Sequence, residues 1–216
     1  MTETPSRRAQ IVDSAAQLFA QKGVGATTVR EIADSVGVLS GSLYHHFESK
    51  DAIVDEVLGG YLDALRGRYA SALARGTSAT ECLRELVLTS LQVAEEQPYA
   101  TAIYQNELHY LREQPRFKDV QAAAANVQKT WMGVIESGVA SGEFRGDIEP
   151  RVFYRLIRDA LWLSARWHKP STDYPTETLA EDVTSVFLNG FIAQSKPTRV
   201  RANSRGGRAQ RPAKKA

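Results

Sequence analysis

Cysteines and long apolar runs are what this sequence most clearly lacks. Cys82 is the only cysteine in 216 residues, so no disulfide can form within the chain, and such cysteine usage is typical of a reducing compartment. No stretch approaches the ~18 apolar residues that a membrane helix needs. The first ten residues, MTETPSRRAQ, contain no apolar segment of the kind found in signal peptides. We therefore expect a cytoplasmic protein that does not enter a membrane.

The sequence patterns of several enzyme classes are also absent. There is no P-loop, no G-x-S-x-G, no H-E-x-x-H and no paired-cysteine metal spacing. The four histidines show no metal-ligand spacing either. We therefore expect no catalytic residues, no metal site and no resident cofactor. A coenzyme A-dependent enzyme is kept as the alternative from this class.

Net charge is small, at +2, but it is unevenly distributed. Residues 195–216 contain eight Lys or Arg and no acid, which leaves 19 basic and 25 acidic residues in the rest of the chain. This segment is also rich in Gly, Pro and Arg, a composition typical of disorder. It is therefore either a solvated tail or a non-specific contact to nucleic-acid phosphates.

Apolar residues recur at helical spacing almost everywhere, and no strand alternation is present. The pattern predicts an all-α fold of about nine helices, at 6–22, 28–36, 40–46, 49–74, 83–94, 99–113, 120–142, 150–168 and 176–194. We divide the chain into a helix-turn-helix domain (1–50), a helical ligand-binding and dimerisation domain (51–194) and the basic tail (195–216).

The segment 27–50, TTVREIADSVGVLSGSLYHHFESK, predicts a helix-turn-helix. Thr28 and Glu31 have the spacing of a capping box, and Gly37 marks the turn. Two short helices can cross steeply there because their inner faces are small and apolar. The second helix then presents a polar face that suits a DNA major groove, formed by Ser40, Gly41, Ser42, Tyr44, His45 and His46.

These residues resemble the N-terminal signature of the TetR family of transcriptional regulators. The resemblance is carried by Thr27-Thr28, Ile32-Ala33, Gly37-Val38, Gly41, Leu43-Tyr44, His46-Phe47 and Ser49-Lys50. It implies that Thr28, Tyr44 and Lys50 hold phosphates of double-stranded operator DNA. It also implies that Arg30, Ser40, Gly41, Ser42, His45 and His46 face the groove. Leu39 departs from the pattern, which commonly has a capping Ser there, and Ser40 is expected to cap the helix instead.

One recognition helix reads too few base pairs for specificity, so a homodimer on a palindrome is expected. The last two helices carry more apolar surface than their own domain needs, and the resemblance implies that they pair in a four-helix bundle. The alternative assigns them to the core of their own chain. The candidate interface residues are Phe153, Leu156, Leu161, Val183, Phe187 and Phe191.

The penultimate helix carries the strongest indication of a ligand. Arg155, Arg158, Trp162 and Arg166 lie at i, i+3, i+7 and i+11, on one stripe. Arg binds phosphate or carboxylate while Trp stacks on flat groups, so the stripe suits an anionic, partly hydrophobic molecule. An ion-paired surface stripe is the alternative, and Asp159 is a ready partner. Further cavity candidates are Tyr104, His109 and Trp131.

The chain as a whole is similar to actinobacterial TetR-type repressors of sterol-ring (cholesterol) catabolism. The tract YHHFESKDAIVDEVLGGYLDALRGRY and the Arg/Trp-rich penultimate helix carry this likeness. It implies a repressor released by a coenzyme A thioester of a sterol-ring catabolite, with a fatty acyl-CoA or another carboxylate as alternatives. We expect Gly59-Gly60, inside the long helix, to act as the pivot of release.

Overall fold

The computed structural model describes residues 6–190, without the side chains of residues 108, 109, 112 and 113. This part of the chain contains nine α-helices, one short 3-10 helix and no strand, which confirms the predicted all-α fold. The helices are α1 (Arg7–Lys22), α2 (Val29–Ser35), α3 (Ser40–Leu43), α4 (Lys50–Leu73), α5 (Ala79–Glu96), α6 (Pro98–Glu113), α7 (Lys118–Ser141), α8 (Pro150–Trp167) and α9 (Thr176–Asn189), with the 3-10 helix at Pro115–Phe117.

Serine caps explain why three of the helices begin where they do. The hydroxyls of Ser6, Ser49 and Ser78 each accept a hydrogen bond from the backbone N–H three residues later, at the start of α1, α4 and α5. Gly37 has φ of 69°, so the turn between α2 and α3 uses the left-handed conformation that glycine adopts without steric cost.

Helix α3, the second helix of the predicted helix-turn-helix, is shorter than predicted. It ends at Leu43 rather than His46, and the next residues form a turn in which His46 N and Phe47 N both donate to the Leu43 carbonyl. The expectation that Ser40 caps α3 was wrong. Leu39 occupies the N-cap position, no side chain caps the helix, and Ser40 is already its first helical residue.

A single apolar core links the helix-turn-helix to the rest of the described chain. Helix α4 lies at its centre, where it packs against α1, α5, α6 and α7. The core runs from Ile11 in α1 through Leu58 in α4 and Trp131 in α7 to Ala180 in α9. The predicted boundary at 50/51 falls in the first turn of α4, so both sides of it share this core.

Some predictions concern residues outside this description. The last residues of the predicted final helix, Phe191 among them, and the basic segment 195–216 lie beyond residue 190. Within the described part of the chain, every helix is too short or too polar to cross a bilayer.

Candidate nucleic-acid interface and ligand cavity

The capping box that opens α2 is present as predicted. Thr28 N donates to Glu31 Oε2 at 2.8 Å, and Glu31 N donates to Thr28 Oγ1 at 3.2 Å. Lys22 Nζ lies 2.7 Å from Glu31 Oε1. The hydrogen bonds from Lys22 and then Thr28 lower the pKa of Glu31 to about 2. The box therefore joins the end of α1 to the start of α2 and fixes Thr28 at an exposed position.

The polar face around α3 is exposed to different degrees. Gly41, Tyr44 and His45 are exposed, while Ser40, Ser42 and His46 are half-buried. Leu43 and Phe47 are buried beneath them, so the inner and outer faces of α3 separate as expected. A Cβ atom added at Gly41 would meet nothing within 4 Å, so packing inside the chain does not require a glycine there. Its place on the outer face suits close approach by a partner.

Two predicted DNA contacts already have partners within the chain. Arg30 Nε is 3.7 Å from Asp34 Oδ2, with both side chains largely exposed. The Lys50 ammonium donates to the Val24 carbonyl at 2.6 Å and to the Thr27 carbonyl at 2.8 Å. Lys50 thus fixes the loop between α1 and α2, and these two bonds use two of the three N–H donors of its ammonium.

The sequence analysis missed Arg8, which connects three elements of this unit. Arg8 Nε donates to Glu56 Oε1 of α4 at 3.0 Å, and Arg8 Nη1 donates to the His46 carbonyl. Its guanidinium also lies 4.1 Å from the centroid of the Phe47 ring. Arg8 therefore ties the turn after α3 to α1 and α4. Its tertiary partners leave no local pattern in the sequence.

Two adjoining cavities lie among the helices α4 to α8. The outer chamber has a volume of about 230 Å³ and the inner one about 40 Å³. Four residues line both chambers and so separate them: Tyr104, Tyr154, Arg158 and Trp162. Ligand sites usually enclose ~300–1,000 Å³, so each chamber by itself is smaller than a usual ligand site.

The dividing layer combines one cation with three aromatic rings. The Arg158 guanidinium lies 4.7 Å from the Trp162 centroid and 5.7 Å from that of Tyr154. Trp162 meets Tyr104 edge-on, with centroids 5.5 Å apart. Arg158 Nη2 also lies 2.7 Å from Asp159 Oδ1, as the ion-pair alternative anticipated. Because Asp159 is itself exposed, this pair can exchange for an anionic ligand at small cost.

The inner chamber holds polar groups that the sequence analysis did not identify. Trp131 Nε1 donates to Tyr69 Oη at 3.1 Å, and Tyr69 Oη is 2.6 Å from Ser90 Oγ. Burial raises the pKa of Tyr69, which keeps its phenol neutral. Gln105 also lines this chamber, and its Nε2 is buried without a hydrogen-bond partner among the side chains that the structure describes. An unpaired buried donor of this kind suits an acceptor atom of a ligand.

The predicted arginine stripe divides into two environments. Arg158 and Trp162 line the cavity, as do Tyr104 and Trp131 from other helices. Arg155 and Arg166 are exposed and line neither chamber. Arg166 Nη2 instead donates to Asn106 Oδ1 at 2.7 Å. The His109 side chain lies outside the described residues.

The residues predicted for the dimer interface differ in exposure. Leu161 is 4% exposed and belongs to the core of its own chain. Phe153 and Phe187 pack against each other, with ring centroids 5.8 Å apart, and Val183 is partly buried. Leu156, however, is 58% exposed. It lies on one face of α8 with three further exposed residues, Val152, Leu163 and Trp167.

Models of known protein families match both the helix-turn-helix and the helices that follow it. A family model described as "Bacterial regulatory proteins, tetR family" matches residues 11–57. A second, described as "Tetracyclin repressor-like, C-terminal domain", matches residues 76–191. This chain belongs to the TetR family. The helix-turn-helix is thus the DNA-binding part of a TetR-family transcriptional repressor.

Relatives of this TetR-family chain are similar over nearly their full length. The HTH-type transcriptional repressor KstR2 of Rhodococcus jostii is 43% identical over 87% of this chain and 92% of the repressor. KstR2 of Mycolicibacterium smegmatis is 42% identical, over 90% and 95%. The structure of the ketosteroid transcriptional regulator KstR2 of Mycobacterium tuberculosis is 38% identical, with a TM-score of 0.79, over 89% of this chain and 98% of that one. The first two relatives are named repressors and the third a transcriptional regulator, which agrees with the expectation that the chain is not an enzyme.

Proposed function

We propose that this TetR-family repressor binds a palindromic operator as a homodimer and is released by a coenzyme A thioester of a sterol-ring catabolite. The observation that carries the ligand proposal is the layer of Arg158, Trp162, Tyr104 and Tyr154 between two chambers. The division into a DNA-binding unit (1–50), a ligand-binding and dimerisation unit (51–194) and a basic tail (195–216) belongs to the same proposal.

The ligand class follows from the chemistry of this layer. An arginine beside aromatic rings suits a molecule with anionic groups and an apolar body. A coenzyme A thioester supplies phosphates for Arg158 and a flat or apolar acyl group for Trp162. The unpaired Gln105 Nε2 in the inner chamber offers a donor to a thioester or ketone oxygen. The relative described as a ketosteroid regulator supports a sterol-derived acyl group.

The exposed apolar face of α8 supports the homodimer. Among residues 6–190, Val152, Leu156, Leu163 and Trp167 remain exposed on α8, and Val186 on α9 is also exposed. A two-fold pairing of this face would bury it and would place two recognition helices on one side of a DNA duplex. Half-sites would then lie about one turn, ~34–36 Å, apart or a multiple of it.

Release of DNA requires that ligand binding moves the recognition helices. The cavity is smaller than a coenzyme A thioester, and we infer that entry of the acyl group displaces Trp162 and the Tyr104 ring against it. Tyr104 lies on α6, and one turn later Glu107 contacts the loop between α1 and α2. Gly59 and Gly60 of α4 have open space at their Cβ positions, so close packing does not explain the pair. We keep them as the pivot.

A DNA-binding titration with chosen ligands tests the proposal. The probe is a fluorescent duplex that carries a palindrome from the chain's own promoter. The competitors are a coenzyme A thioester of a steroid-ring carboxylic acid, the free acid, coenzyme A alone and palmitoyl-CoA. We expect the steroid-ring thioester to dissociate the complex at the lowest concentration. Release by palmitoyl-CoA or the free acid alone would favour the alternative ligands, and release by none would refute ligand control by this class.

A further inference from the structure

Leu39, the residue before the recognition helix, is 81% exposed, more than any other large hydrophobic residue in the described chain. Its neighbours Val36 and Val38 are half-buried against the core. The backbone of Leu39 is extended, with φ of −71° and ψ of 144°. Successive side chains of extended backbone point to opposite sides. Because Val38 points inward, Leu39 projects outward.

A single exposed leucine needs no explanation by itself, but the place of Leu39 is unfavourable for folding. It stands at the N-cap of α3, where Ser, Thr, Asp or Asn would accept a hydrogen bond from the first helical turn. No side chain provides that bond here. A leucine at this position therefore forgoes a cap and leaves an apolar side chain in water. Packing and capping among the described residues give no reason for a leucine here.

The surroundings of Leu39 indicate which partner covers it. The next residues are Ser40, Gly41 and Ser42, which form the start of the DNA-reading helix. In helix-turn-helix proteins this N-terminal part of the recognition helix contacts base edges in the major groove. The only apolar group that the bases present in that groove is the C5 methyl of thymine. A leucine side chain can gain free energy from that methyl and from no hydrogen-bonding base edge.

We propose that Leu39 is a specificity-determining residue that packs on the C5 methyl of one thymine in each operator half-site. The proposal rests on DNA binding by this unit and adds a residue and a base preference to it. It also separates two kinds of readout on α3: Ser40, Ser42 and His45 offer hydrogen bonds, whereas Leu39 recognises an apolar group.

The test removes the methyl group from the DNA and the side chain from the protein, separately and together. Each thymine of a palindromic duplex from the chain's own promoter is replaced by deoxyuridine, symmetrically in both half-sites. Deoxyuridine keeps every base-pairing group and lacks only the methyl. Dissociation constants are measured for the wild type, Leu39→Ala and Leu39→Met, at fixed salt because phosphate contacts make affinity depend on it. Circular dichroism confirms folding, which an exposed position should leave intact.

We expect one thymine per half-site whose replacement weakens wild-type binding by about fourfold for each methyl removed, from ~0.8 kcal/mol per buried methyl-sized group. In Leu39→Ala, the same replacement should weaken binding by less than twofold for each methyl removed. Leu39→Met should keep most of the wild-type sensitivity to loss of the methyl. The proposal is overturned if no thymine shows the effect in the wild type, or if Leu39→Ala shows it undiminished. In either case operator binding itself would stand. Failure of the wild type to bind any such duplex would instead refute the repressor function on which the proposal rests.

Discussion

Glu107 on α6 accepts a hydrogen bond from the backbone N–H of Val24, with a separation of 3.1 Å between Oε1 and nitrogen. The backbone carbonyl of Val24 in turn accepts a hydrogen bond from Lys50 Nζ at 2.6 Å. Val24 is fully buried. Helices α6 and α4 therefore hold one residue of the α1–α2 loop, and α6 also carries Tyr104 of the cavity. This is a short physical connection between the ligand cavity and the DNA-reading unit.

Glu107→Ala should weaken the connection between ligand and DNA. The Val24 N–H would lose its acceptor in a buried place, so the free energy of unfolding should fall by about 1–3 kcal/mol. We expect the dissociation constant for the operator, measured without inducer, to change little. The inducer concentration needed for release should change by a larger factor. Urea denaturation and the DNA titration, with and without the steroid-ring thioester, measure the two effects. Glu107→Gln keeps an acceptor oxygen and serves as control; equal responses in the alanine variant and the wild type would contradict this role.

Arg158→Ala should raise the inducer concentration needed for release. Hydrogen bonds to charged groups contribute ~1.5–3 kcal/mol, so we expect about a 10- to 100-fold increase. Operator affinity without inducer should stay near the wild-type value, since Arg158 lies in the cavity. Arg155→Ala is the matched control, because Arg155 lies one turn away on α8 but lines neither chamber. If both variants respond alike, charge on α8 rather than the cavity explains the effect.

Trp167→Ala should weaken the homodimer. Trp167 is 61% exposed on the same face of α8 as Leu156, and burial of a large apolar side chain is worth ~1.5–3 kcal/mol. We expect the dimer dissociation constant to rise about 10- to 100-fold, with a parallel loss of operator affinity. Light scattering over a dilution series measures the first. Tyr99→Ala, which changes an exposed aromatic residue on α6, should leave the dimer unchanged. A monomeric wild type would refute the interface.

Gly59→Ala combined with Gly60→Ala should stabilise α4 and hinder release. Nothing lies within 4 Å of either new Cβ atom, and Gly in a helix interior costs ~1 kcal/mol relative to Ala. We therefore expect a higher melting temperature and a smaller inducer effect on operator binding. A stabilised variant that releases DNA at the wild-type inducer concentration would eliminate the pivot.

Glu31→Gln should remove one part of the pH dependence of stability. Hydrogen bonds from Lys22 and then Thr28 lower the pKa of Glu31 in the folded chain from its ordinary value of 4.5 to about 2. Its contribution is therefore complete above about pH 4.5 and is lost as the pH falls towards 2. The wild type should be more stable than Glu31→Gln at neutral pH, and the difference should shrink through this range. Urea denaturation of both proteins at several pH values measures it; a constant difference would contradict the link to titration.

The helix-turn-helix was predictable because local chemistry defines it. The capping box, the glycine at the turn and the alternation of buried and exposed residues are all properties of adjacent positions. The end of α3 was not predictable, because Leu43 and Phe47 are held by the core rather than by their helix propensity. The cap at Ser40 was wrongly predicted for a similar reason: one residue of register separates an N-cap from a first helical residue.

The cavity could be predicted only in part. Periodicity placed Arg155, Arg158, Trp162 and Arg166 on one stripe, but a stripe on a helix spans both its packed edge and its exposed face. Contacts from α6 and α7 decide that Arg158 and Trp162 line the cavity and that Arg166 meets Asn106. Tyr69, Ser90 and Gln105 were missed because their burial depends on helices distant in sequence.

Local patterns in the sequence determined that this is an all-α protein with a helix-turn-helix. The resemblance to the TetR family predicted that the polar face of α3 reads DNA. Spacing, capping and turn chemistry act over a few residues, so a single segment contains them in full. Tertiary structure alone decided that Arg8 and Lys50 organise the helix-turn-helix, that Arg158 enters the cavity, and that Glu107 contacts Val24. Each of these contacts either joins residues at least 23 positions apart or distinguishes neighbours on one helix, and packing in three dimensions decides both.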